Sequence, residues 1–462
     1  MISLTHWTFS KTAVLLGVAA LVGCASPTGY QRPDVQVPAQ WQQGAAQGEA
    51  ALSSSPPWWL VLDDKVLQQL IADALARNNN LAQAAVRVRR AQLVAGQAAS
   101  EQLPSVRVTG SSSASRQLDG DGTTRQSAVS GAVTWELDLW GRLAALHNAA
   151  DLGAQASQAD QQAAALSLSG TVANLYWQVA YLNQRVEASA QSIDFARQTL
   201  KLVEAQYRAG GLSGLEVAQA TQSLASQEAN HTQWLHQRVQ ARSALAILFD
   251  APPSLAVNEA LRLPDGVLPD VPAGLPASLL TRRPDLRAAE LRLRQSAATV
   301  DASRSSYYPA LTLTSSIGGS STALSHVLSD PVGTLGAGLV LPFVQWRDMQ
   351  RSVAIAQADD EVAVLGFRQS WYQALSEVEI ALSARMQYEA QGVRLAQALS
   401  AAQTAERLSE ARYRAGSVTL KIWLDAQEAR RQVENSLAQN RLSRLNALVV
   451  LYQALGGNAA EP

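Results

Sequence analysis

The chain has 462 residues, with 37 Lys and Arg against 38 Asp and Glu, and only 16% of its residues are charged. A charge balance so close to zero excludes the basic surface that nucleic-acid binding requires, so we expect no nucleic-acid partner. The single cysteine excludes an intrachain disulfide, and the five histidines form no zinc motif with it. The sequence therefore predicts no metal and no other cofactor.

Residues 1–23 have the features of a secretory signal peptide. Lys11 precedes an apolar run, Thr12 to Val22, that is too short to cross a bilayer. The string Leu21-Val22-Gly23-Cys24 matches the lipobox of bacterial lipoproteins, in which cleavage leaves the cysteine first and a lipid is attached to its thiol. Cys24 is therefore the predicted lipid-attachment site, and Ser26 fits the pattern that directs such proteins to the outer membrane. An ordinary signal peptide that happens to contain a cysteine is the alternative.

The remaining chain contains two copies of one unit. Tyr207-Arg208-Ala209-Gly210 recurs 206 residues later as Tyr413-Arg414-Ala415-Gly416, and a shift of 205 relates Pro104 to Pro309. A nearly constant shift in both places indicates a duplication. The predicted segments are an extended tether over 24–57, a first repeat over 58–249, a Pro-rich linker over 250–283, a second repeat over 284–457 and a tail over 458–462.

Each repeat begins with a predicted helix, Leu81–Glu101 or Leu286–Ser306, that stops before a proline. Strands with alternating apolar and polar residues follow, such as those over 129–139 and 335–343. Glu136 and Asp138 are on the polar positions, where we expect a water-filled lumen or its rim rather than catalytic carboxylates. Two hairpins give four strands, which cannot close a barrel. Either the sheet is soluble, or several chains pool their strands.

Very long helices follow each second strand. A heptad seam extends from Val172 to Tyr207 in the first repeat, and the helix over 346–413 is its counterpart in the second. Turns at Gly210-Gly211 and Gly416 lead into returning helices over 214–249 and up to Gly456. The predicted fold class is mixed and mainly α, with each β-hairpin continued into a long antiparallel helical hairpin.

Several strings together resemble the TolC-like outer-membrane efflux proteins, and more closely their lipoprotein branch, the NodT-type outer membrane factors. The resemblance covers essentially the whole mature chain. Its carriers, besides the lipobox, are Tyr30-Gln31-Arg32-Pro33, Trp58-Trp59, Trp135-Glu136-Leu137-Asp138-Leu139-Trp140-Gly141-Arg142, Leu280-Thr281-Arg282-Arg283-Pro284-Asp285 and Leu424-Asp425-Ala426-Gln427.

The resemblance implies a homotrimer in the bacterial outer membrane that extends into the periplasm. Three sets of four strands would close a 12-stranded transmembrane β-barrel, and the helices would form a trimeric α-barrel. The implied function is passive conduction of small molecules from a periplasmic adaptor protein and an inner-membrane efflux transporter to the exterior. Such a channel is not an enzyme.

The resemblance also implies two sites. Asp425 would line the periplasmic gate, where three carboxylates favour cations. Lys421 and Trp423 depart from the apolar residues expected of close relatives, and a lysine one turn from the acid could pair with it and weaken the gate or its cation preference. The duplicate of Asp425 is Gln219, so each subunit would contribute one acid. The adaptor-docking tips would be the turns that contain Arg208, Gly210, Gly211, Arg414, Gly416 and Ser417, where glycine permits positive φ and close approach of another chain.

Two other functions remain open from the sequence. The same architecture is used by type I secretion outlets for polypeptides. A periplasmic coiled-coil scaffold anchored only by its lipid would require the strands to be soluble. His231 and His236 are five residues apart, off the spacing that places two ligands on one helical face, so we expect them to be surface or packing residues.

Overall fold

The computed structural model describes residues 30–43, 57–116, 118–119, 122–254, 258–271, 276 and 282–457. The predicted signal peptide, Cys24 and the C-terminal tail are outside the described residues. The helices are α1 Lys65–Arg77, α2 Asn79–Ser100, α3 Arg142–Arg208, α4 Gly214–Ile247, α5 Pro284–Ser305, α6 Trp346–Arg414 and α7 Leu420–Ala454. The strands are β1 Ser105–Arg116, β2 Thr123–Leu137, β3 Ala310–Ser321 and β4 Val332–Val340. None of the helices in these ranges is long and apolar enough to cross a membrane.

The elements occur in the same order twice, since α2, β1, β2, α3 and α4 are followed by α5, β3, β4, α6 and α7. The chain nevertheless packs as two compact units that each draw on both halves. The strand unit comprises Val86–Ala159, Arg287–Ser370 and the described part of Met1–Val35, and the helical unit comprises the rest. The repeat boundaries at 58–249 and 284–457 stay a prediction.

The strand unit contains one antiparallel meander in the order β1-β2-β3-β4. Register pairs Val106 with Val133 and Trp135 with Leu313, so their side chains share one face of the sheet. This apolar face is uncovered, and its exposed large side chains are Val106, Val108, Val133, Trp135, Leu313, Ile317, Leu335 and Leu339. The opposite face has mainly Ser, Thr, Ala and Gly. The predicted alternation is therefore observed.

Two strands end earlier than their sequence pattern suggests. The final strand was expected to reach Phe343, but β4 ends at Val340 and Pro342 opens a short 3-10 turn. Proline has no N–H to donate to a ladder, which explains the stop. β2 ends at Leu137 rather than Leu139 because the residues that follow it cap α3.

Glu136 and Asp138 have partners at the start of α3, and their placement in a lumen or at its rim stays a prediction. Arg142 donates to both oxygens of Glu136, at 2.7 and 2.9 Å, and Asp138 accepts from the backbone N–H groups of Leu143 and Ala144, at 3.1 and 2.8 Å. Carboxylates at a helix N-terminus satisfy its free N–H groups. These acids therefore fix the change from strand to helix.

The helices of the strand unit pack through small side chains. Ala156 and Ala159 of α3 form a buried cluster with Ala288 and Leu291 of α5. Alanine lets two helix backbones approach closely. The Ala-rich composition thus serves close helix packing.

In the helical unit, most of the predicted heptad seam of α3 is buried, including Val172, Val179, Leu182 and Val203. Tyr207, at its end, is 50% exposed, unlike its duplicate Tyr413, which is 8% exposed. The short helix α1 was not predicted, although Asp64 supplies a recognisable N-cap by accepting from the N–H of Leu67.

The predicted tether and linker are irregular but held in place. Within the helical unit, the backbone N–H groups of Gln42 and Gln43 donate to Glu379 of α6, and Trp41 is buried. The described linker residues form ion pairs with helices: Arg242 with Glu259, Arg262 with Glu187, Arg385 with Asp270 and Arg441 with Asp265. The described part of the tether therefore lies against the protein.

Arg283 joins the linker, α5, α6 and α7. Its guanidinium donates twice to Asp285, at 3.0 and 2.7 Å, contacts Glu377 of α6 at 2.7 Å and donates to the carbonyl of Ala454 at the end of α7 at 3.1 Å. The Arg283 side chain is 9% exposed. Because the guanidinium fork serves four acceptors at once, lysine could not replace it.

We expect Arg283→Gln to lower the free energy of unfolding by about 2 kcal/mol, because it removes a nearly buried guanidinium that makes charge-assisted hydrogen bonds to half-exposed carboxylates. The midpoint of urea unfolding of the detergent-extracted protein measures the loss. The matched variant Arg262→Gln removes an ion pair whose side chains are 66% and 48% exposed and should cost less than about 0.5 kcal/mol. Equal midpoints for the two variants would contradict the network's importance.

Stability should also depend on pH through Asp285. Burial acts to raise the pKa of Asp285, but hydrogen bonds and charge from Arg283 outweigh burial, so this pKa lies below its ordinary value. A depressed folded-state pKa gives stability that is present above the unfolded pKa and is lost as pH falls through the folded pKa. Asp285→Asn should therefore flatten the decline of the unfolding midpoint below about pH 4, whereas an unchanged decline would assign it to other carboxyl groups.

Candidate functional site: the helix tips and the Lys421–Asp425 pair

The turns at the ends of α3 and α6 have the same geometry. Gly210 and Gly416 have φ values of 76° and 72°. After α3, the N–H of Gly210 donates to the carbonyl of Tyr207 and that of Gly211 to Gln206, both at 2.9 Å. After α6, the corresponding bonds from Gly416 and Ser417 are also 2.9 Å. Both turns are thus Schellman-type caps, which require a left-handed residue.

All six residues predicted for docking are exposed: Arg208, Gly210, Gly211, Arg414, Gly416 and Ser417. Arg414 pairs with Glu410 at 2.6 Å, and the Ser417 hydroxyl donates to the carbonyl of Arg412 at 3.0 Å. The positive φ expected of the turn glycines is present at Gly210 and Gly416. The role of the tips in docking stays a prediction.

A buried aromatic cluster lies beneath the tips. Trp423 of α7 is 2% exposed, stacks on Tyr413 with ring centroids 5.2 Å apart and meets the edge of Phe195 at 6.1 Å. The hydroxyl of Tyr413 donates to Gln206 at 2.9 Å. The cluster therefore ties α3, α6 and α7 together next to the turns. Sequence analysis did not identify Trp423 as a core residue, although its spacing of three from Leu420 was the available signal.

Lys421 and Asp425 form an ion pair on the first turns of α7. The Lys421 Nζ lies 2.8 and 3.0 Å from the two carboxylate oxygens of Asp425, and both side chains are 63% exposed. An exposed i,i+4 pair contributes only about 0.3–0.5 kcal/mol, and lysine on the N-terminal side is the weaker order. The pair therefore alters the local charge more than it stabilises the helix.

A polar groove between α4 and α7 contains this pair. The α4 side of the groove presents uncharged residues such as Gln219 and Ser223, and Gln219 is the duplicate of Asp425. The α7 side adds Glu428 and Arg431 to the Lys421–Asp425 pair. All formal charge in the groove thus comes from one of the two helices.

Further along α7, charged residues that sequence analysis missed form a second cluster. Arg430 contacts Glu406 of α6 at 2.5 Å and Glu434 at 2.8 Å. Arg185 of α3 is buried with its guanidinium 5.3 Å from the ring centroid of Trp234, and burial lowers its pKa. The i,i+4 spacing of Arg430 and Glu434 was the available signal.

His231 is a packing residue, as expected, since its Nδ1 lies 2.7 Å from the hydroxyl of Ser189 on α3. Ser189 is buried and donates to the carbonyl of Val186. Within the part of the chain that the structure describes, no group of three His, Cys, Asp or Glu residues could hold a metal ion.

We expect Gly416→Ala to raise the energy of its turn by about 1–2 kcal/mol, because a Cβ is strained at positive φ. Hydrogen exchange at the Ser417 amide, which closes the turn, should then become about 5–30 times faster. Gly214→Ala is the matched control, since Gly214 has an ordinary φ and open space for a Cβ. Similar exchange rates in both variants would show that the left-handed turn is not limiting.

Comparisons with known proteins identify the fold. A family model described as outer membrane efflux protein matches residues 70–249 and again residues 275–457. The chain is 32% identical over 95% of both chains to the pyoverdine export outer membrane protein OpmQ of Pseudomonas putida. It is 30% identical to the toluene efflux pump outer membrane protein TtgC of Pseudomonas putida, over 97% of this chain and 96% of TtgC.

A solved structure gives the same result. The open state of the MtrE outer membrane channel of Neisseria gonorrhoeae is 28% identical, with a TM-score of 0.79 over 94% of this chain and 98% of MtrE. Both copies of the helix-hairpin-helix order are covered by these matches. The chain belongs to the outer membrane efflux protein family.

Proposed function

We propose that three copies of this chain form the exit channel of a tripartite efflux system, which conducts small molecules passively from an inner-membrane transporter and a periplasmic adaptor to the exterior. The observation that carries the proposal is the incomplete sheet. Among the described residues, β1 pairs only with β2 and β4 only with β3, so both edges are open and the apolar face is uncovered.

Four strands are too few to close on themselves, whereas three copies supply twelve. In a closed barrel, β4 of one copy pairs with β1 of the next, and the apolar face meets lipid. Such closure satisfies the edge N–H and C=O groups and the exposed apolar side chains at once. This support comes from the sheet alone and is independent of the similarity to other proteins.

Uncovered apolar seams on the helices of the strand unit support the same assembly. Ile355, Val362 and Leu365 of α6 are spaced by seven and three residues and are at least 63% exposed. Val86 and Leu93 of α2 are seven apart and at least 53% exposed. Seams with heptad spacing are typical of helices that pack against partners, and neighbouring subunits are the partners that we propose.

We propose that Lys421 and Asp425 line the periplasmic gate and that the two helix tips dock the adaptor. In a trimer, three carboxylates and three ammonium groups would form one ring, so the lysines offset the cation preference of the acids. The exposed, repeated turns give an adaptor two equivalent backbone surfaces per subunit.

We further propose that a lipid on Cys24 anchors the chain, and that the channel needs neither a cofactor nor covalent chemistry. The relatives' names mention pyoverdine and toluene, and for this chain we propose small molecules as a class. The family favours an efflux outlet over a polypeptide secretion outlet or a lipid-anchored scaffold.

Assembly is tested by the detergent-corrected molar mass of the protein extracted from membranes, measured by light scattering on a sizing column. Three chains per particle are expected. A stable monomer would leave the sheet edges open, and the channel would have to be abandoned in favour of the tethered scaffold.

The gate is tested by ion selectivity in planar bilayers. Lys421→Ala should raise the preference for cations, because it leaves the three carboxylates uncompensated, and Asp425→Ala should lower it. The matched control Asp348→Ala breaks the exposed pair with Arg351, whose side chains are both 74% exposed, and should leave selectivity unchanged. If all three variants conduct alike, the pair does not line the conduction path.

A further inference from the structure

The N-terminal segment contacts α5 through a compact polar site. Arg32 donates to both carboxylate oxygens of Glu290, at 2.8 and 2.9 Å, and the Tyr30 hydroxyl donates to the same carboxylate at 3.2 Å. Arg294 donates to Glu290 at 3.0 Å, and its guanidinium carbon lies 4.8 Å from the ring centroid of Tyr30. We call these four residues the N-terminal clamp.

The clamp is centred on a largely buried carboxylate with several hydrogen-bond donors, unlike an exposed ion pair. The Glu290 side chain is only 11% exposed, and it receives two guanidinium groups and a phenol. Burial acts to raise the pKa of Glu290, but hydrogen bonds from Arg32 and Arg294 outweigh burial and hold the pKa below its ordinary value. Bidentate arginine–carboxylate pairs are among the stronger and more directional polar contacts.

Only the second repeat carries the clamp acid. The shift of 205 that relates Arg89 to Arg294 places Ala85 at the position equivalent to Glu290. The arginine is thus present in both copies and the acid in one. Since each chain has one N-terminus, a single acid matches the single segment that it holds.

The position of the clamp along α5 matches the length of chain that precedes it. With a rise of about 1.5 Å per residue, Glu290 lies about 22 Å along α5 from its end at Ser305. β3 begins at Ala310, just beyond that end. An extended chain covers at most about 3.5 Å per residue, so the segment from Cys24 to Tyr30 spans at most about 21 Å.

We infer that the N-terminal clamp is a positioning site for the lipid anchor: it holds the tether at a fixed height on α5, from which Cys24 reaches at most about as far as the end of α5, next to the level where the strands begin. The inference rests on the proposed lipidation of Cys24 and on membrane insertion of the strands. It gives Tyr30, Arg32, Glu290 and Arg294 the role of holding the N-terminal segment on α5, which neither turn formation nor helix packing requires. A spacer shorter than the native one then cannot satisfy the clamp and the lipid together.

The test varies this spacing and reads out whether the Arg32–Glu290 pair of the clamp still holds the segment on α5. Tyr30→Cys/Arg294→Cys introduces the only free thiols, because the lipid occupies Cys24, and it keeps the Arg32–Glu290 pair. A short bis-maleimide added to intact membranes should link the two cysteines, as measured by mass spectrometry of the joined peptides. Deleting Pro27–Gly29 shortens the reach to about 10 Å. We expect the linked fraction to fall about fivefold or more, since the chain no longer spans both sites.

Two matched variants isolate the lipid's contribution. Deleting Ala45–Gln47 removes the same length beyond the clamp and should leave linking unchanged. The shortened chain made with an ordinary signal peptide and Cys24→Ala has no lipid to reach the membrane, so its linking should return to the parental level. Parental linking in the lipidated, shortened chain would overturn the inference, and so would loss of linking in its unlipidated counterpart.

The mass of the N-terminal peptide distinguishes failure of the proposed lipidation from failure of the positioning role. A peptide without lipid refutes the proposed lipidation and the inference with it. A lipidated peptide combined with unchanged linking refutes the positioning role and leaves the proposed channel intact.

Discussion

The structure depends on a sheet whose edge backbone groups and apolar side chains find no partners within one chain. Its four strands leave two edges of unpaired backbone groups and one face of exposed apolar side chains, including Val108, Trp135 and Leu335. In a soluble protein these would be aggregation sites. The proposed trimer resolves both problems with one operation, because a threefold rotation brings β1 beside β4 and presents the apolar face to lipid. We propose that neighbouring subunits of this trimer also cover the apolar seams of α2 and α6.

The two repeats share one fold but differ at the residues to which we assign functional roles. The two tips share their glycine geometry, yet Gln219 stands opposite Asp425 and Ala85 opposite Glu290. Tyr207 is exposed where Tyr413 is buried under Trp423. A channel built from two copies per subunit approaches sixfold symmetry. In the proposed trimer these substitutions would reduce it to threefold, so that the gate charge and the clamp occur once per chain.

Much of this fold could be predicted because the patterns are local. Period-two alternation, heptad spacing and glycine turns gave the strands, the long helices and the tips within a few residues. The early end of β4 needed attention to Pro342, whose missing N–H stops the ladder. The roles of Glu136 and Asp138 could not be derived from alternation, because Arg142 and the N-terminus of α3 recruit them. Arg283 and Trp423 were visible, but their partners are distant in sequence.

The two tips differ in how their returning helices begin. α4 starts with a capping box, Ser213 with Glu216, whereas Thr419 makes no side-chain cap for α7 and Lys421 places a cation where the helix dipole favours an anion. The first turn of α7 is therefore held by the burial of Leu420 and Trp423 rather than by a side-chain cap. Asp425, which follows directly on that turn, thus takes its position from packing against α3 and α6.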